Sequence, residues 1–457
     1  MRRSQRAGEA SMTKSRTRRS GRGLTVLSVL MITLVSAACG GVINPHYVLP
    51  NICREFDDTP LTPLSAPPPN DPKLIFETPG AIKVIHGSGR DRLDSGKRII
   101  KVEQSVSIPT YANQATVFLN GWHLEYLAFD QHVLALGALI TKIKFDRRNS
   151  TLTWTAAGVL RDDDFEEGYI FTYHFTVIAW NDATLNVSVN QGSPDNFCSA
   201  DTDLPDKSFV ALNNGTTTAL SSFSVFSQEP AFPPGKPVAV LPRGFAYFWW
   251  GGDHHLLQLG YNLDHSEIFA QQGEIYSNNK NHVRTAGDLM SKTSAPLPTP
   301  ASRVDSGFAS WNTYAIFKDN DSRRDYVFSE LVSTVGGTDI GIVQPPFAIL
   351  PKEGAGGDEH PGGFKKEQFV IENIPFEYAV PLLTGWELNY ETDDQHVSEV
   401  GISIDDWSFT GGTLSYTLFS VLRDEDFTPA HSARHKVTIL GIRPTVSGGG
   451  GVPRQSR

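Results

Sequence analysis

Apolar and polar residues alternate with a period of two along several stretches of this chain. Trp122, Leu124 and Tyr126 alternate with His123 and Glu125. Successive side chains of a strand point to opposite faces of a sheet, so this pattern predicts a strand with one apolar face and one polar face. The same alternation occurs at Leu134, Leu136, Ala138 and Ile140, at Leu152, Trp154 and Ala156, at Tyr169, Phe171, Tyr173, Phe175 and Val177, and at Val400, Ile402 and Ile404.

A motif that begins on the first of these strands is present three times with unchanged internal spacing. Its copies are Gly121-Trp122, Asp130-Gln131-His132 and Gly137; Gly244-Phe245, Asp253-His254-His255 and Gly260; and Gly385-Trp386, Asp394-Gln395-His396 and Gly401. Each copy is much longer than a solenoid repeat and is long enough to fold alone. Half-buried antiparallel strands must pack their apolar faces together. The sequence therefore predicts an all-β protein of three tandem, antiparallel, β-sandwich-like repeat domains.

The domain boundaries follow from the repeats and from changes in composition. We expect a signal peptide (1–38), a Pro-rich linker or stalk (39–97), repeat 1 (98–190), repeat 2 (205–350) with an insertion (271–304), repeat 3 (362–445) and a disordered tail (446–457). Proline-rich segments are stiff and extended and have no core, which suits a stalk.

The N-terminal segment has the composition of an export signal. A basic leader precedes an apolar run at 24–35 that is too short to span a bilayer as a mature helix, and Ser36-Ala37-Ala38 and Cys39 follow. Small residues directly before a cysteine resemble the lipobox of bacterial lipoproteins, in which that cysteine carries the lipid. The resemblance covers only the signal and departs from the pattern at Ser36, where leucine is usual. It implies an exported protein anchored through lipidated Cys39, and ordinary secretion after Ala38 is the alternative.

Net charge narrows the range of partners. Residues 1–38 contain eight basic residues and one acidic residue, so their removal changes the formal charge from −10 to −17. This charge argues against nucleic acid and against anionic membrane surfaces as partners. We expect membrane contact only through a lipid anchor, and carbohydrate or an envelope protein as the partner.

The two other cysteines, Cys53 and Cys198, form an even pair. In an oxidising compartment such a pair favours a disulfide between the N-terminal segment and the region after repeat 1, and two separate thiols are the alternative.

Each copy contains an Asp-x-His element, which is the first candidate for chemistry. Its phase places His132 on the same side as Leu134 and Leu136, so we expect the histidine to face inward. An aspartate that accepts a hydrogen bond from the imidazole would then fix the start of the strand. Ligand or metal binding is the alternative, but one aspartate and one histidine per copy are too few for a closed metal site.

The second candidate is an acidic turn between two predicted strands of each copy. It comprises Asp162 and Asp164 in copy one, Asp319 and Asp321 in copy two, and Asp424 and Asp426 in copy three. Aspartates favour turns because they bond to their own backbone, which predicts a solvated hairpin turn. Alternating carboxylates are also ligands for Ca²⁺, so Asp162, Asp164, Asp424 and Asp426 are the candidate residues for a weak Ca²⁺ site. No other cofactor is expected.

Copy two provides the third candidate because its first strand is apolar on both faces around Trp249 and Trp250. Sugar-binding proteins stack rings on such aromatic side chains, whereas core packing is their more frequent fate. We take Trp249, Trp250, Asp253 and His255 as the candidate ligand-binding residues.

The chain contains no Gly-x-Ser-x-Gly elbow, no His-Glu-x-x-His helix motif, no Cys-x-x-Cys pair and no phosphate-binding loop. We therefore expect a non-enzymatic protein of the cell envelope or a secreted one, in which tandem β modules bind a ligand or mediate adhesion. Paired carboxylates of a glycosidase leave little local signature. A secreted polysaccharide hydrolase that works through repeat 2 is thus one alternative, and a structural envelope component is another.

Overall fold

The structure is a computed structural model, and it describes residues 72–94, 99–128, 131–162, 167–190, 208–211, 220–227, 237–249, 255–264, 267–269, 308–319, 326–343, 345, 348–349, 364–390, 395–424 and 431–443. These residues form strands, turns and loops. Among them there is no helix long and apolar enough to cross a membrane. The predicted signal, the insertion at 271–304 and the tail lie outside the described residues.

The strands run in chain order through the three copies. Before and within copy one they are β1 (Lys73–Thr78), β2 (Ile82–Leu93), β3 (Ile100–Ser107), β4 (Gln114–Tyr126), β5 (Ala135–Asp146), β6 (Thr151–Arg161), β7 (Tyr169–Trp180) and β8 (Val187–Asn190). In copy two they are β9 (Ser208–Ala211), β10 (Leu220–Ser227), β11 (Pro237–Trp249), β12 (Gln258–Asp264), β13 (Glu267–Phe269), β14 (Phe308–Lys318), β15 (Tyr326–Gly337), β16 (Ile340–Val343) and β17 (Ala348–Ile349). In copy three they are β18 (Phe364–Ile371), β19 (Tyr378–Tyr390), β20 (Glu399–Thr410), β21 (Thr413–Arg423) and β22 (His431–Ile442).

These strands form three antiparallel sheets, which confirms the all-β prediction. The strand orders are β1-β2-β7-β4-β20-β21-β18, β10-β14-β12-β19-β22-β16 and β3-β6-β5-β11-β15-β8. Each sheet combines strands of two different copies. Strand β5 of copy one pairs with β11 of copy two, β12 of copy two with β19 of copy three, and β20 of copy three with β4 of copy one. The three copies thus close into a ring, an arrangement that the spacing of the repeat did not predict.

Part of the predicted stalk belongs to the fold. Strands β1 and β2 lie within 39–97, and β2 pairs with β7 over its whole length, from Ile82 opposite Trp180 to Leu93 opposite Tyr169. Ile82 and Val84 are buried. The expectation of a stalk without a core is therefore wrong for residues 73–93, because their apolar side chains complete the sheet of copy one.

The second glycine of the motif lies where a strand of one copy pairs with a strand of another copy. A Cβ atom at Gly401 would be 2.6 Å from the carbonyl oxygen of Trp122 and 2.7 Å from the Cα of His123. A Cβ at Gly137 would be 2.8 Å from the carbonyl oxygen of Phe245. Backbone atoms cannot yield as a flexible side chain can, so these glycines permit the close pairing of neighbouring copies.

Replacement of such a glycine is expected to destabilise the whole ring. We expect Gly401→Ala to lower the free energy of unfolding by about 3 kcal/mol or more, because its methyl group overlaps the backbone of the partner strand. Chemical denaturation of both proteins measures the change. The matched control is Gly411→Ala, where a Cβ meets no atom within 4 Å and only the left-handed backbone (φ +60°) opposes the substitution. That control should lower the free energy of unfolding by about 1 kcal/mol. Equal losses at both positions would contradict the argument that Gly401 permits close strand pairing.

The three junctions between copies differ chemically at one equivalent position. Between copies three and one, the carboxylate of Glu399 contacts the imidazole of His123 and forms an ion pair with Arg423. Between copies two and three, the amide of Gln258 donates to the carboxylate of Glu387 at 2.8 Å. Between copies one and two, Ala135 and Ala246 occupy these places in a small apolar cluster. An exchange of copies would place a charged or polar side chain opposite a partner of the wrong chemistry. These contacts therefore favour a single order of the copies around the ring.

The core continues through all three copies. Its centre includes Trp122, Phe245 and Trp386, the aromatic residues of the three motifs, and each pair of ring centroids lies 5.1 Å apart. Three equal separations between equivalent residues define a pseudo-threefold axis. All three side chains are at most 3% exposed, so the axis is filled by packed rings.

Candidate metal centre

The histidines of the three motifs meet each other. His132, His255 and His396 each follow the end of the motif strand by a few residues, beyond β4, β11 and β19 respectively. Because those three strands surround the same axis, their histidines converge although they are separated by more than 120 residues in sequence. The prediction that these side chains face inward agrees with their half-buried state.

The histidine triangle is regular. The ring centroids of His132 and His255, of His132 and His396, and of His255 and His396 are all 4.6 Å apart. One ring nitrogen from each residue can be chosen so that all three lie within 4.8 Å of one another. Within the described part of the chain, this is the one group of three or more His, Cys, Asp or Glu residues so arranged.

Backbone hydrogen bonds between copies hold the histidine loops. Gln131 and Val397 exchange two such bonds at 3.0 and 2.8 Å, and Leu256 and Gln395 exchange two at 2.8 and 3.1 Å. These residues are immediate neighbours of His132, His396 and His255. The positions of the three imidazoles therefore depend in part on pairing between copies.

Tyrosine hydroxyl groups add support in two copies. The hydroxyl of Tyr126 donates to the carbonyl oxygen of His132 at 3.3 Å, and that of Tyr390 donates to the carbonyl oxygen of His396 at 3.4 Å. Both tyrosines are buried. A rigid second layer of this kind limits movement of the ligand loops.

The triangle fits a divalent transition metal. A tetrahedral site with Zn–N bonds of about 2.05 Å separates its nitrogens by about 3.3 Å, so each nitrogen would move less than about 1 Å toward the axis. Imidazole nitrogen suits zinc, copper, iron and nickel, whereas Ca²⁺ and Mg²⁺ prefer oxygen. Three protein ligands leave at least one coordination position for water or an exogenous ligand.

The aspartates of the Asp-x-His element, Asp130, Asp253 and Asp394, lie outside the described residues, as do Asp164, Asp426 and Trp250. The predicted lipidation site, Cys39, and the predicted disulfide partners, Cys53 and Cys198, also lie outside them. The export, lipidation and disulfide hypotheses therefore stay predictions.

The aspartates of the acidic turns that the structure describes are buried, whereas a solvated turn was expected. Asp162 is 4% exposed and Asp424 is 6% exposed, and Asp319, their equivalent in copy two, is 3% exposed. The prediction of a solvated turn is wrong at these positions, because each aspartate directly follows a strand whose inner face is buried. The Ca²⁺ hypothesis stays a prediction, since two of its four residues are not described.

Trp249 is not an exposed platform. It is 1% exposed and stacks on Phe317 with ring centroids 4.4 Å apart. The expectation that it binds a sugar ring is therefore wrong, because its face is covered by the core. Of the two predicted ligand-binding residues that the structure describes, Trp249 and His255, it places His255 in a candidate site.

Comparisons with known proteins give no family for this chain. No family description and no curated protein matches it. Among solved structures, it shows a likeness to dimeric latent PorU from Porphyromonas gingivalis, at 10% sequence identity and a TM-score of 0.11. That match covers 82% of this chain and 33% of the PorU chain. A likeness at this level carries no argument about fold or function.

Proposed function

We propose that this protein binds a divalent transition-metal ion through His132, His255 and His396. The observation that supports the proposal is the convergence of the same motif histidine from three copies into one equilateral triangle. A motif position that serves only strand packing would not need a nitrogen-bearing ring in all three copies. The aromatic position of the motif, which packs in the core, is Trp in two copies and Phe in the third. The histidine position does not vary among the copies.

Zinc is the ion that we expect at this site. Three neutral imidazoles supply nitrogen donors and no thiolate, and such a set is known in zinc sites that keep an open position. The bound ion would keep its two positive charges, because neutral ligands do not cancel them. In a chain with a formal charge of −10, such a local cation would attract an anionic ligand or acidify a bound water molecule.

In the cellular setting, we propose an exported binding protein of the envelope or a secreted one. The signal-like leader and the acidic charge support export. A single site shared by all three copies favours one metal-dependent binding function over three independent adhesive modules. It also gives no support to a hydrolase that works through repeat 2 alone, because His255 shares its site with two other copies.

Metal titration of the protein tests this proposal. Calorimetry with Zn²⁺, Co²⁺ and Ni²⁺ should show one ion bound per chain, and zinc at 100 times its Kd should stabilise the folded protein by about 2.7 kcal/mol. His396→Ala should weaken zinc binding by about 100-fold or more, because it removes one of three ligands.

A second histidine variant serves as the control. His174 is another half-buried histidine, which contacts Asp405 outside the triad, and His174→Gln should leave zinc affinity unchanged. A protein that binds no transition metal, or in which His396→Ala binds zinc as tightly as the native chain, would show that the triad is only a packing contact. Ca²⁺ titration in parallel tests the acidic-turn hypothesis separately.

A further inference from the structure

Three buried carboxylates accompany the histidine triad. Asp162, Asp319 and Asp424 occupy the same position in copies one, two and three, and all are at most 6% exposed. A carboxylate removed from water is costly unless it accepts hydrogen bonds or pairs with a charge. Its retention in all three copies calls for a role that the three places share.

Backbone pairing places each of these aspartates beside a histidine loop. The amide of Leu134 donates to the carbonyl of Arg161 at 2.6 Å, that of Leu257 to Lys318 at 2.7 Å, and that of Ser398 to Arg423 at 2.8 Å. Each acceptor directly precedes one aspartate in sequence. Each donor lies two residues after one histidine of the triad. The hydrogen bond from this donor joins the histidine loop to the sheet, and the aspartate of the same copy is the next residue after the acceptor.

The strand phase directs these side chains inward. Asp162 is two residues beyond Leu160, and Asp424 is two residues beyond Leu422; both leucines are fully buried in the core. Residues two apart in a strand lie on one face. The same phase argument predicts that the motif histidines face inward, so carboxylate and imidazole share the interior at this end of the axis.

We propose that Asp162, Asp319 and Asp424 are positioning residues for the metal ligands. Each carboxylate accepts a hydrogen bond from the imidazole of its own copy, at the ring nitrogen that does not bind the ion. The inference rests on the proposed metal function. A carboxylate in this role fixes the tautomer and ring orientation of its histidine and makes the coordinating nitrogen more basic. The three ligands would then be held in their coordinating orientation by the carboxylates that surround them.

The experiment compares Asp424→Asn with Asp339→Asn in the full chain. Asparagine keeps the shape and one acceptor oxygen but loses the charge. Asp339 is similarly buried, at 7% exposed, and accepts a hydrogen bond from the backbone amide of Asn186 at 2.7 Å. Zinc affinity is measured by competition with a chromophoric chelator, ligand geometry by the visible spectrum of the Co²⁺ form, and stability by thermal melting in EDTA.

We expect Asp424→Asn to bind zinc about 10- to 100-fold more weakly and to shift the Co²⁺ absorption bands, while Asp339→Asn retains native affinity and spectrum. If the native protein binds zinc and Asp424→Asn shows the same affinity and spectrum as Asp339→Asn, the positioning role is overturned and the metal site stands. Loss of stability in EDTA without a change in affinity or spectrum overturns it as well. A native protein that binds no metal overturns both proposals.

Discussion

A fragment that contains copy one alone, residues 72–190, is expected not to fold as a monomer, even though it retains β1 and β2. In the full chain, β4 pairs with β20 over five residues and β5 pairs with β11 over five residues. Without copies two and three, both strands lose a neighbour, and Trp122 loses its contacts with Phe245 and Trp386. We expect the fragment to show no cooperative unfolding transition.

Circular dichroism during urea titration, combined with sedimentation velocity, checks this result. The control is the segment 72–443, which keeps all three copies and should unfold cooperatively as a monomer. A copy-one fragment that assembles into a trimer would agree with the ring, because three identical copies could supply the missing pairings to each other. A folded, cooperative monomer of residues 72–190 would contradict it and would support independent repeat domains.

Acid is expected to destabilise the folded protein before carboxylates titrate. Burial lowers the pKa of His86 to about 4, that of His431 to about 3 and that of His435 to about 4. The unfolded chain takes up protons at these residues near pH 6.5, whereas the folded chain does not. The free energy of unfolding is therefore highest above pH 6.5. It falls as the pH decreases from 6.5 toward 4, and the contribution of His431 continues to fall toward pH 3. At pH 5 the loss should be about 2 kcal/mol for each histidine.

Chemical denaturation at pH 7.5 and pH 5, in buffers that contain a chelator, measures this loss without a contribution from bound metal. The variant His435→Gln provides the matched control. Glutamine can keep a hydrogen bond with the hydroxyl of Tyr416, which His435 contacts through Nε2 at 2.9 Å, but it cannot take up the proton. The variant should lose about 2 kcal/mol less than the native chain between the two pH values. Equal stability of the native protein at both pH values would contradict the burial argument.

Much of the secondary structure could be predicted from the alternation of side chains. Trp122, Leu124 and Tyr126 are buried on one face of β4, and Val400, Ile402 and Ile404 are buried in β20. The prediction was wrong for 73–93 because proline-rich composition in the neighbouring segment outweighed a short alternating pattern around Ile82 and Val84. Local composition is a weaker guide than the periodicity of the residues that form the strand.

The candidate site could be predicted in its parts and not as a whole. The motif identified His132, His255 and His396, and the strand phase predicted that they face inward. One aspartate and one histidine per copy are too few donors for a closed metal site, so the sequence favours a structural role and keeps metal binding as the alternative. That count considers each copy by itself, whereas the structure brings together one histidine from each of three copies. Equal spacing in a repeat was the one signal that could have suggested a shared axis.

The sequence by itself determined that this chain is built from strands, that one unit occurs three times, and that each unit turns a histidine to its apolar side. Side-chain alternation carries this information because it reports which face of a strand is buried. Only the tertiary structure decided which strands are neighbours. Backbone hydrogen bonds are the same for every sequence, so the choice of partner depends on close contacts such as Gly401 against Trp122 and on junction pairs such as Glu399 with His123. Those contacts close the ring and bring the three imidazoles to one point.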